Sequence, residues 1–281
     1  TGRLNSKAPN FQNQPADIRG MFIPRPGHVF VYGDWDALEM RLAAFISGDP
    51  ELIKVFADYD AKRGPKPHIV NMAVIFGLPA TKEAAEQNPG MYRAAKVFAY
   101  AVAYGAGDQT VFEQVREELP DMSWDAFQIA IGNYRRKYKV MFDYFKNCVK
   151  RGTQVGYLDS AILKRRVYFF ERGYGDGNSP EASAMQNMPT QSGGADVVSL
   201  ANRRIMKKVV APMRKKLKKN EVLEQLAQVH DELLFEVPKR MAKKFAHGFE
   251  TVAKECPAPG FESWYLPVEV KSADRWKPVQ T

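Results

Sequence analysis

The stretch HVFVYGDWDALEMR, residues 28–41, joins an apolar run to a helix-forming segment. Its continuous apolar start predicts a buried strand over residues 28–33. The alternation that follows predicts an amphipathic helix over residues 38–46, which Gly48-Asp49-Pro50 would end. Asp34 stands directly after the predicted strand, so its carboxylate would mark the end of that strand.

A second stretch, VHDE at residues 229–232, lies between apolar residues far along the chain. The pattern predicts a strand–turn–strand unit over residues 226–237, with Asp231 at the turn. Two carboxylates brought together in this way form a site for hard divalent cations, which take oxygen ligands. Two such metals, roughly 3.5–4 Å apart, can stabilise both the attacking and the leaving oxygen of a phosphoryl transfer.

A third stretch, residues 92–105, lies between these two and is rich in alanine and tyrosine. Lys96, Tyr100 and Tyr104 are spaced by four, so they share one face of the predicted helix. An aromatic stripe on a helix is more commonly part of a core. The neighbouring lysine makes a nucleotide platform the better interpretation here.

These three stretches, in this order, resemble the signature of family A DNA polymerases. The matches are Asp34, Glu39 and Arg41 in D-x-x-x-x-E-x-R, Lys96, Tyr100, Tyr104 and Gly105 in K-x-x-x-[FY]-x-x-x-Y-G, and the triplet His230-Asp231-Glu232. Each motif alone is a weak signal, whereas the ordered set is specific. Further similar segments at residues 1–4, 9–13, 187–191 and 267–270 extend the resemblance over essentially the whole chain.

The remaining pattern predicts an α+β fold. Helices are expected at 68–76, 89–105, 108–118, 123–150, 181–219 and 239–255. A hairpin is expected to pair 155–158 with 166–170, followed by a loop at 173–180, and a last strand at 264–271. The resemblance implies a right-hand palm, an antiparallel sheet plus helices, formed by residues 1–47 and 183–281. It implies mainly helical fingers, residues 48–182, inserted between the two palm segments. The chain starts inside a motif without methionine, so we expect the family's thumb to be absent from it.

The resemblance implies that Asp34 and Asp231 are catalytic and bind two Mg²⁺ ions, for which Mn²⁺ is expected to substitute. It places six residues at the incoming nucleotide: Lys96, Tyr100, Tyr104, His68, Arg93 and Glu39. Glu39 would act as a steric gate against a 2′-hydroxyl, and the phenol of Tyr100 predicts tolerance of dideoxynucleotides. Arg93 departs from the family pattern, because the usual arginine position is occupied by Tyr92.

The resemblance also places polar side chains at the primer–template DNA: Arg3, Asn10, Gln12, Arg41, Asn187, Gln191 and His230. The minor groove presents nearly the same acceptors for every correct pair, so donors there can check pair shape without reading sequence. Asp36 stands where the family usually has serine, and its effect on metal binding is left open.

Charge and composition narrow the class of partner. The net charge of +9, from 41 basic and 32 acidic residues, favours a polyanion. Basic pairs between Arg203 and Lys219 fit either a solvated helix face or contact with duplex phosphates.

No run of 18 apolar residues occurs, so no membrane span is expected. The two cysteines, Cys148 and Cys256, form neither a disulfide framework nor a zinc pattern. We expect a location in the cytoplasm of a bacterium or of a phage-infected host, with an organelle left open. We also expect a monomer.

The sequence thus favours a template-directed DNA polymerase core that adds dNTPs to a primer 3′ end. A single-subunit RNA polymerase shares the aspartates, the lysine and the tyrosine, but Glu39 argues against it. A non-catalytic nucleic-acid-binding fragment is the second alternative. The source, with a phage among the possibilities, and the choice between replication and repair are left open.

Overall fold

The computed structural model describes residues 2–7, 10–12, 14–171, 181–255 and 261–276. Within these ranges it has an α+β fold with six strands and twelve α-helices. The strands are β1 His28–Trp35, β2 Tyr157–Asp159, β3 Arg166–Tyr168, β4 Glu224–Val229, β5 Glu232–Pro238 and β6 Val268–Ala273. The helices are α1 Ala16–Arg19, α2 Leu38–Ser47, α3 Pro50–Asp60, α4 Pro67–Phe76, α5 Lys82–Gln87, α6 Pro89–Ala103, α7 Asp108–Glu118, α8 Trp124–Lys137, α9 Lys139–Val155, α10 Ala182–Ile205, α11 Ala211–Arg214 and α12 Ala242–Lys254.

The chain divides into two compact units. Unit 1 comprises Thr1–Leu38 and Gln191–Thr281, and unit 2 comprises Glu39–Thr190. The divisions fall inside α2 and α10. The palm and fingers boundaries expected at residues 47 and 182 stay predictions. Among the described residues, no helix combines the length and the apolar character needed to cross a membrane.

Unit 1 contains an antiparallel four-stranded sheet in the order β4-β5-β1-β6. The central strand β1 pairs Val31 with Phe235 of β5 on one side and with Ser272 of β6 on the other. β1 is longer than predicted. Asp34 therefore lies within the strand, opposite Glu269, and not after it. The last strand covers 268–273 where 264–271 was expected.

The two faces of this sheet are covered differently. Side chains alternate between faces along a strand. On one face α12 packs closely against the sheet. The closeness is seen at Gly33, where an added Cβ would lie 2.7 Å from the Phe249 ring. On the other face Phe30, Tyr32 and Leu234 form a cluster with Trp276. By alternation, Asp34 shares this second face with Phe30 and Tyr32.

Unit 2 is mainly helical, with the short hairpin β2–β3. The helix predicted over 123–150 is two helices, α8 and α9, separated at Tyr138. The Asp49 carboxylate accepts hydrogen bonds from Leu52 N (3.0 Å) and Met141 N (3.0 Å), so it caps both α3 and α9. This long-range cap has no local sequence signal.

Three other segments differ from the prediction. Helix α3 was missed because Asp49-Pro50 is a cap followed by proline at the first helical position, and not only a stop. Helix α5 was also missed. The hairpin pairs Tyr157 with Tyr168, and Val155 belongs to α9, which ends at the left-handed Gly156. The loop predicted at 173–180 lies outside the described residues.

The C-terminal helices are shorter than expected. The helix predicted over 181–219 ends earlier, passing from α10 through a π-turn at Met206–Val210 into α11. Residues 215–220 are therefore not helical. The helix predicted over 239–255 begins with a 3₁₀ turn at Lys239–Met241 before α12.

Candidate active site

Two carboxylates meet at one end of the unit 1 sheet. Asp34 lies near the end of β1, and Asp231 lies in the two-residue turn between β4 and β5. His230 adopts a left-handed backbone (φ 53°) in this turn, and the turn brings Asp231 close enough to Asp34 for the two carboxylates to interact electrostatically. Two ionised carboxylates in such proximity repel each other.

This repulsion adds to the effect of burial on the pKa of Asp34. Burial, followed by the negative charges of Asp231 and Glu232, raises the pKa of Asp34 to about 8. Burial also raises the pKa of Asp231, and the positive charges of His230 and Arg3 oppose that rise. The pair resists carrying two negative charges. A cation bound between the two carboxylates would favour the doubly ionised form.

The donor set fits a hard divalent cation. Asp34 in β1 and Asp231 in the β4–β5 turn offer carboxylate oxygens, the ligands that Mg²⁺ prefers. Within the described ranges, no group of three His, Cys, Asp or Glu side chains forms a ready metal cage. Mg²⁺ usually keeps several waters and uses only one or two carboxylates plus substrate phosphates. Two carboxylates without a third protein ligand therefore suit a magnesium site that substrate completes.

Glu232, next to Asp231, is held in place by a hydrogen bond from Trp276. The Trp276 Nε1–H donates to its Oε1 at 2.6 Å, and both side chains are buried. Burial raises the pKa of Glu232, while the Trp276 hydrogen bond and the Arg19 charge oppose this rise. The Arg19 guanidinium also lies 4.8 Å from the centre of the Trp276 ring. Sequence reasoning missed Trp276, because nothing local to the tryptophan links it to residue 232.

The nucleotide residues predicted in unit 2 gather on and beside α6. Lys96 and Tyr100 are half-buried on this helix, and Tyr104 at its end is 38% exposed. The His68 ring of α4 lies 5.5 Å from the Tyr100 ring, centre to centre. Lys96 Nζ lies 5.9 Å from the centre of the Tyr92 ring. Among the described residues no carboxylate forms an ion pair with Lys96, so its charge is available for an anion.

Arg93 points to a different neighbour. Its Nε donates to Glu118 Oε2 at 2.6 Å, on α7. It lies one residue past the family position, which is about 100° around the helix. The ion pair with Glu118 accounts for Arg93 without a phosphate.

The end of α6 packs on the start of α10. Gly105 has φ 69°, and a Cβ there would lie 3.1 Å from Ser183 O and 3.2 Å from Asn187 Oδ1. Ser183 Oγ donates to Gly105 O at 2.8 Å. Only glycine therefore fits the turn after Tyr104. Asn187 is brought beside this turn, and its buried Oδ1 accepts no hydrogen bond from the described residues.

Arg41 lies in the interior of unit 2. Its guanidinium is fully buried, donates two hydrogen bonds of 2.8 Å to the Asp60 carboxylate, and lies 4.5 Å from the centre of the Phe56 ring. This geometry argues against the direct DNA contact that we expected for Arg41. Its role here is to hold α2 against α3.

The other DNA-contact residues are spread over both units. Gln12 Nε2 donates to Leu4 O at 2.8 Å, and Asn10 Oδ1 accepts from Gln12 N at 3.0 Å, so both shape the N-terminal segment. Arg3 and His230 both act electrostatically on Asp231. Gln191 is partly buried in the part of α10 that belongs to unit 1, and Glu39 lies in the first turn of α2 in unit 2.

A family model described as DNA polymerase family A matches residues 1–278. The chain belongs to DNA polymerase family A. The order of the three motifs, and the placement of the first and third on neighbouring strands of one sheet, agree with this membership.

Among the relatives, "DNA polymerase I" of Rhizobium leguminosarum is 29% identical to this chain. The aligned region covers 98% of this chain and 26% of the Rhizobium protein. "DNA polymerase I" of Caldicellulosiruptor bescii is 30% identical over 85% of this chain and 26% of its own length. The thermostable DNA polymerase I of Thermus aquaticus is 29% identical over 96% of this chain and 30% of its own length. The chain thus spans between a quarter and a third of these relatives.

The fold has a solved counterpart. The POL domain of Pol1 from M. smegmatis, in complex with DNA primer-template and dNTP, superimposes with a TM-score of 0.77. It is 24% identical, and the match covers 98% of this chain and 46% of that chain. The mixed α+β architecture is therefore that of a polymerase POL domain.

Proposed function

We propose that this chain is the catalytic core of a DNA-directed DNA polymerase, with palm and fingers subdomains, which extends a primer on a template with dNTPs. The observation that carries the proposal is the half-buried like-charged pair Asp34–Asp231, in a chain that belongs to DNA polymerase family A. Two acids held together away from bulk water are unfavourable for folding, and such a pair is expected where a cation is to be bound.

Asp34 and Asp231 would hold two magnesium ions. When bound, these supply the positive charge that lowers the proton affinity of the primer 3′-hydroxyl and neutralises the leaving pyrophosphate. The protein's share is positioning and electrostatics. Glu232, fixed by Trp276, stays buried beside Asp231 and adds negative potential. Arg3 keeps positive charge near Asp231, where primer phosphates would lie.

The incoming nucleotide would meet the α6 face. Lys96, which has no carboxylate partner among the described residues, would meet the triphosphate as a point charge. Tyr100, packed against His68, and Tyr104 would supply the aromatic surface for the base and sugar. Glu39 would exclude a 2′-hydroxyl, which makes the RNA polymerase alternative the less favoured one. Asn187, Gln191, Asn10 and Gln12 would contact the primer–template duplex.

Magnesium-dependent primer extension, run in parallel with dNTPs and with rNTPs, tests the proposal. The wild type should extend with dNTPs and discriminate strongly against rNTPs. Asp34→Asn and Asp231→Asn should each reduce single-turnover incorporation by at least roughly a thousandfold, because each removes charge that no other group replaces. The surface variant Asp17→Asn, with the same chemical change in unit 1, should leave the rate unchanged.

Two results would contradict the proposal. Efficient rNTP use would support the RNA polymerase alternative. DNA binding without extension under any metal condition would support a non-catalytic nucleic-acid-binding fragment.

A further inference from the structure

A dense basic surface lies in unit 1, formed by two segments that we call the basic patch. The segments are residues 203–219, with nine basic and no acidic residues, and residues 239–244, with four basic and no acidic residues. The whole chain has 41 basic and 32 acidic residues, so without these thirteen the acidic residues would be in the majority. The positive net charge of the chain is therefore local and not general.

The two segments form one surface. Arg240 Nη2 donates to Lys216 O at 2.8 Å, and Arg240 Nε donates to Glu221 Oε1 at 2.7 Å. Glu221 in turn accepts a hydrogen bond from Lys218 N at 2.8 Å. These contacts hold the loop after α11 against the start of α12. Farther along, a Cβ at Gly248 would lie 3.1 Å from Val209, so α12 also packs closely on the π-turn.

Most of the patch is neither buried nor neutralised. All of its basic residues except Arg204 are exposed. Arg204 and Lys208 pair with Glu255, Lys239 with Asp274 and Arg240 with Glu221. Other members have no carboxylate partner among the described residues: Arg203, Lys207, Lys215, Lys216, Lys218, Lys219, Lys243 and Lys244. Like charges this close repel one another, and a bound polyanion would remove the repulsion.

The patch lies on the opposite side of the sheet from the carboxylate pair. α12 covers the face of the sheet toward which Gly33 and Phe235 point. Asp34 belongs to the other face, which carries Trp276. A DNA primer terminus at Asp34 and Asp231 would therefore approach the face that the patch does not occupy. The patch is a second surface and not an extension of the site.

We propose that the basic patch binds the phosphate backbone of nucleic acid, independently of the primer terminus at the carboxylate pair. The inference rests on the proposed function only in taking DNA as the polyanion. Lysine predominates in the patch, as suits point-charge contact with phosphates and not bidentate recognition. None of its exposed residues is aromatic, so it offers no platform for stacking bases. Binding should therefore be independent of sequence and strongly dependent on salt.

The test compares two triple variants with the same loss of charge. The patch variant is Lys215→Gln, Lys218→Gln and Lys219→Gln, which spares the backbone contacts of this loop. The control variant is Lys54→Gln, Lys82→Gln and Lys139→Gln, in which each lysine already has a carboxylate partner four residues on. Both sets are exposed, so both variants should fold, and thermal unfolding verifies this.

The measurement is the affinity for a short blunt DNA duplex over a salt series, and single-turnover primer extension at saturating DNA. The patch variant should lose about 2–3 from the slope of log affinity against log salt, because each neutralised phosphate contributes about 0.9. Its extension rate at saturating DNA should stay that of the wild type. The control variant should keep the wild-type slope.

An unchanged slope in the patch variant, or an equal loss in the control, would overturn the proposal. So would sedimentation showing that the wild type self-associates at low salt through the patch while the DNA slope is unaffected, since the partner would then be a second copy. If the slope changes but no protein extends a primer, the proposed function fails and the patch assignment stands.

Discussion

Two carboxylate contacts, one in each unit, have opposite electrostatics. In unit 2, Asp60 meets the fully buried Arg41 through two hydrogen bonds of 2.8 Å, and the charges neutralise each other. In unit 1, Asp34 meets another acid, Asp231, and burial with like charge raises the pKa of Asp34 to about 8. The first contact stabilises the fold by itself. The second pair does not neutralise itself, and under the proposed function a bound cation would do so. This difference would separate a structural pair from a binding site.

Breaking the Arg41–Asp60 ion pair should have the largest effect on stability. Arg41→Leu leaves the Asp60 carboxylate, whose side chain is 20% exposed, without its partner. Removing one member of a fully buried ion pair costs about 3–5 kcal/mol, and because water reaches Asp60 we expect a loss at or below the lower end of this range. Chemical denaturation should show this loss in the free energy of unfolding. The double variant Arg41→Leu with Asp60→Leu should recover much of it. If Arg41→Leu instead left stability intact and weakened DNA binding, the DNA-contact role first expected for Arg41 would be restored.

Trp276→Phe tests the support behind the acidic pair. The change removes the donor to Glu232 Oε1 and keeps most of the ring, so the buried carboxylate loses a charge-assisted hydrogen bond worth about 1.5–3 kcal/mol. We expect a lower melting temperature and a higher magnesium requirement for extension. Adding Glu232→Gln should reduce the stability loss. A melting temperature unchanged by Trp276→Phe would show that the hydrogen bond does not hold Glu232.

Asp49→Ala removes two helix caps at once, those of α3 and α9. Each cap is worth about 1 kcal/mol, so we expect a loss near 2 kcal/mol in the free energy of unfolding. Ser123→Ala, which removes the single exposed cap of α8, is the matched control and should cost about half as much. Equal losses in the two variants would mean that Asp49 does not join the two helices.

Much of the fold follows from local sequence pattern. The apolar runs predicted β1 and the β4–β5 hairpin, and the ordered motifs predicted the Asp34–Asp231 meeting. The features that the sequence did not predict depend on contacts between residues far apart in the chain. The break at Tyr138 depends on Asp49, and the burial of Arg41 depends on Asp60, each distant in the chain. A motif shows which residue types recur, but it does not show whether an arginine points inward or outward.

The acidic pair should also make stability depend on pH. The folded state holds the Asp34 proton up to a pKa of about 8, whereas an aspartate in the unfolded chain titrates near 4. The folded state therefore binds more protons across this window, so metal-free stability should fall as pH rises from about 4 to about 8. Melting temperatures in chelator should show this fall, and Asp34→Asn should flatten it. A wild-type curve that rises through this window, with no change in Asp34→Asn, would exclude the raised pKa.

Sugar selection should show the smallest effects. Tyr100→Phe removes only a phenolic hydroxyl and should reduce dideoxynucleotide incorporation with little change for dNTPs. Glu39→Ala should raise the ratio of rNTP to dNTP incorporation. Single-turnover assays with both substrates measure these ratios. An unchanged ratio of rNTP to dNTP incorporation in Glu39→Ala would show that Glu39 is not a steric gate.

If the Asp34–Asp231 pair is a metal site and the Arg41–Asp60 pair is not, a divalent cation should stabilise the fold through Asp34. The shift in melting temperature on adding Mg²⁺, or Mn²⁺, near pH 8 measures this for the wild type, Asp34→Asn and Asp17→Asn. A ligand that binds only the folded state must stabilise it. We expect a metal-dependent increase in the wild type and in Asp17→Asn, and none in Asp34→Asn. Equal shifts in all three proteins, or no shift in the wild type at saturating metal, would show that the Asp34–Asp231 pair is not a metal site.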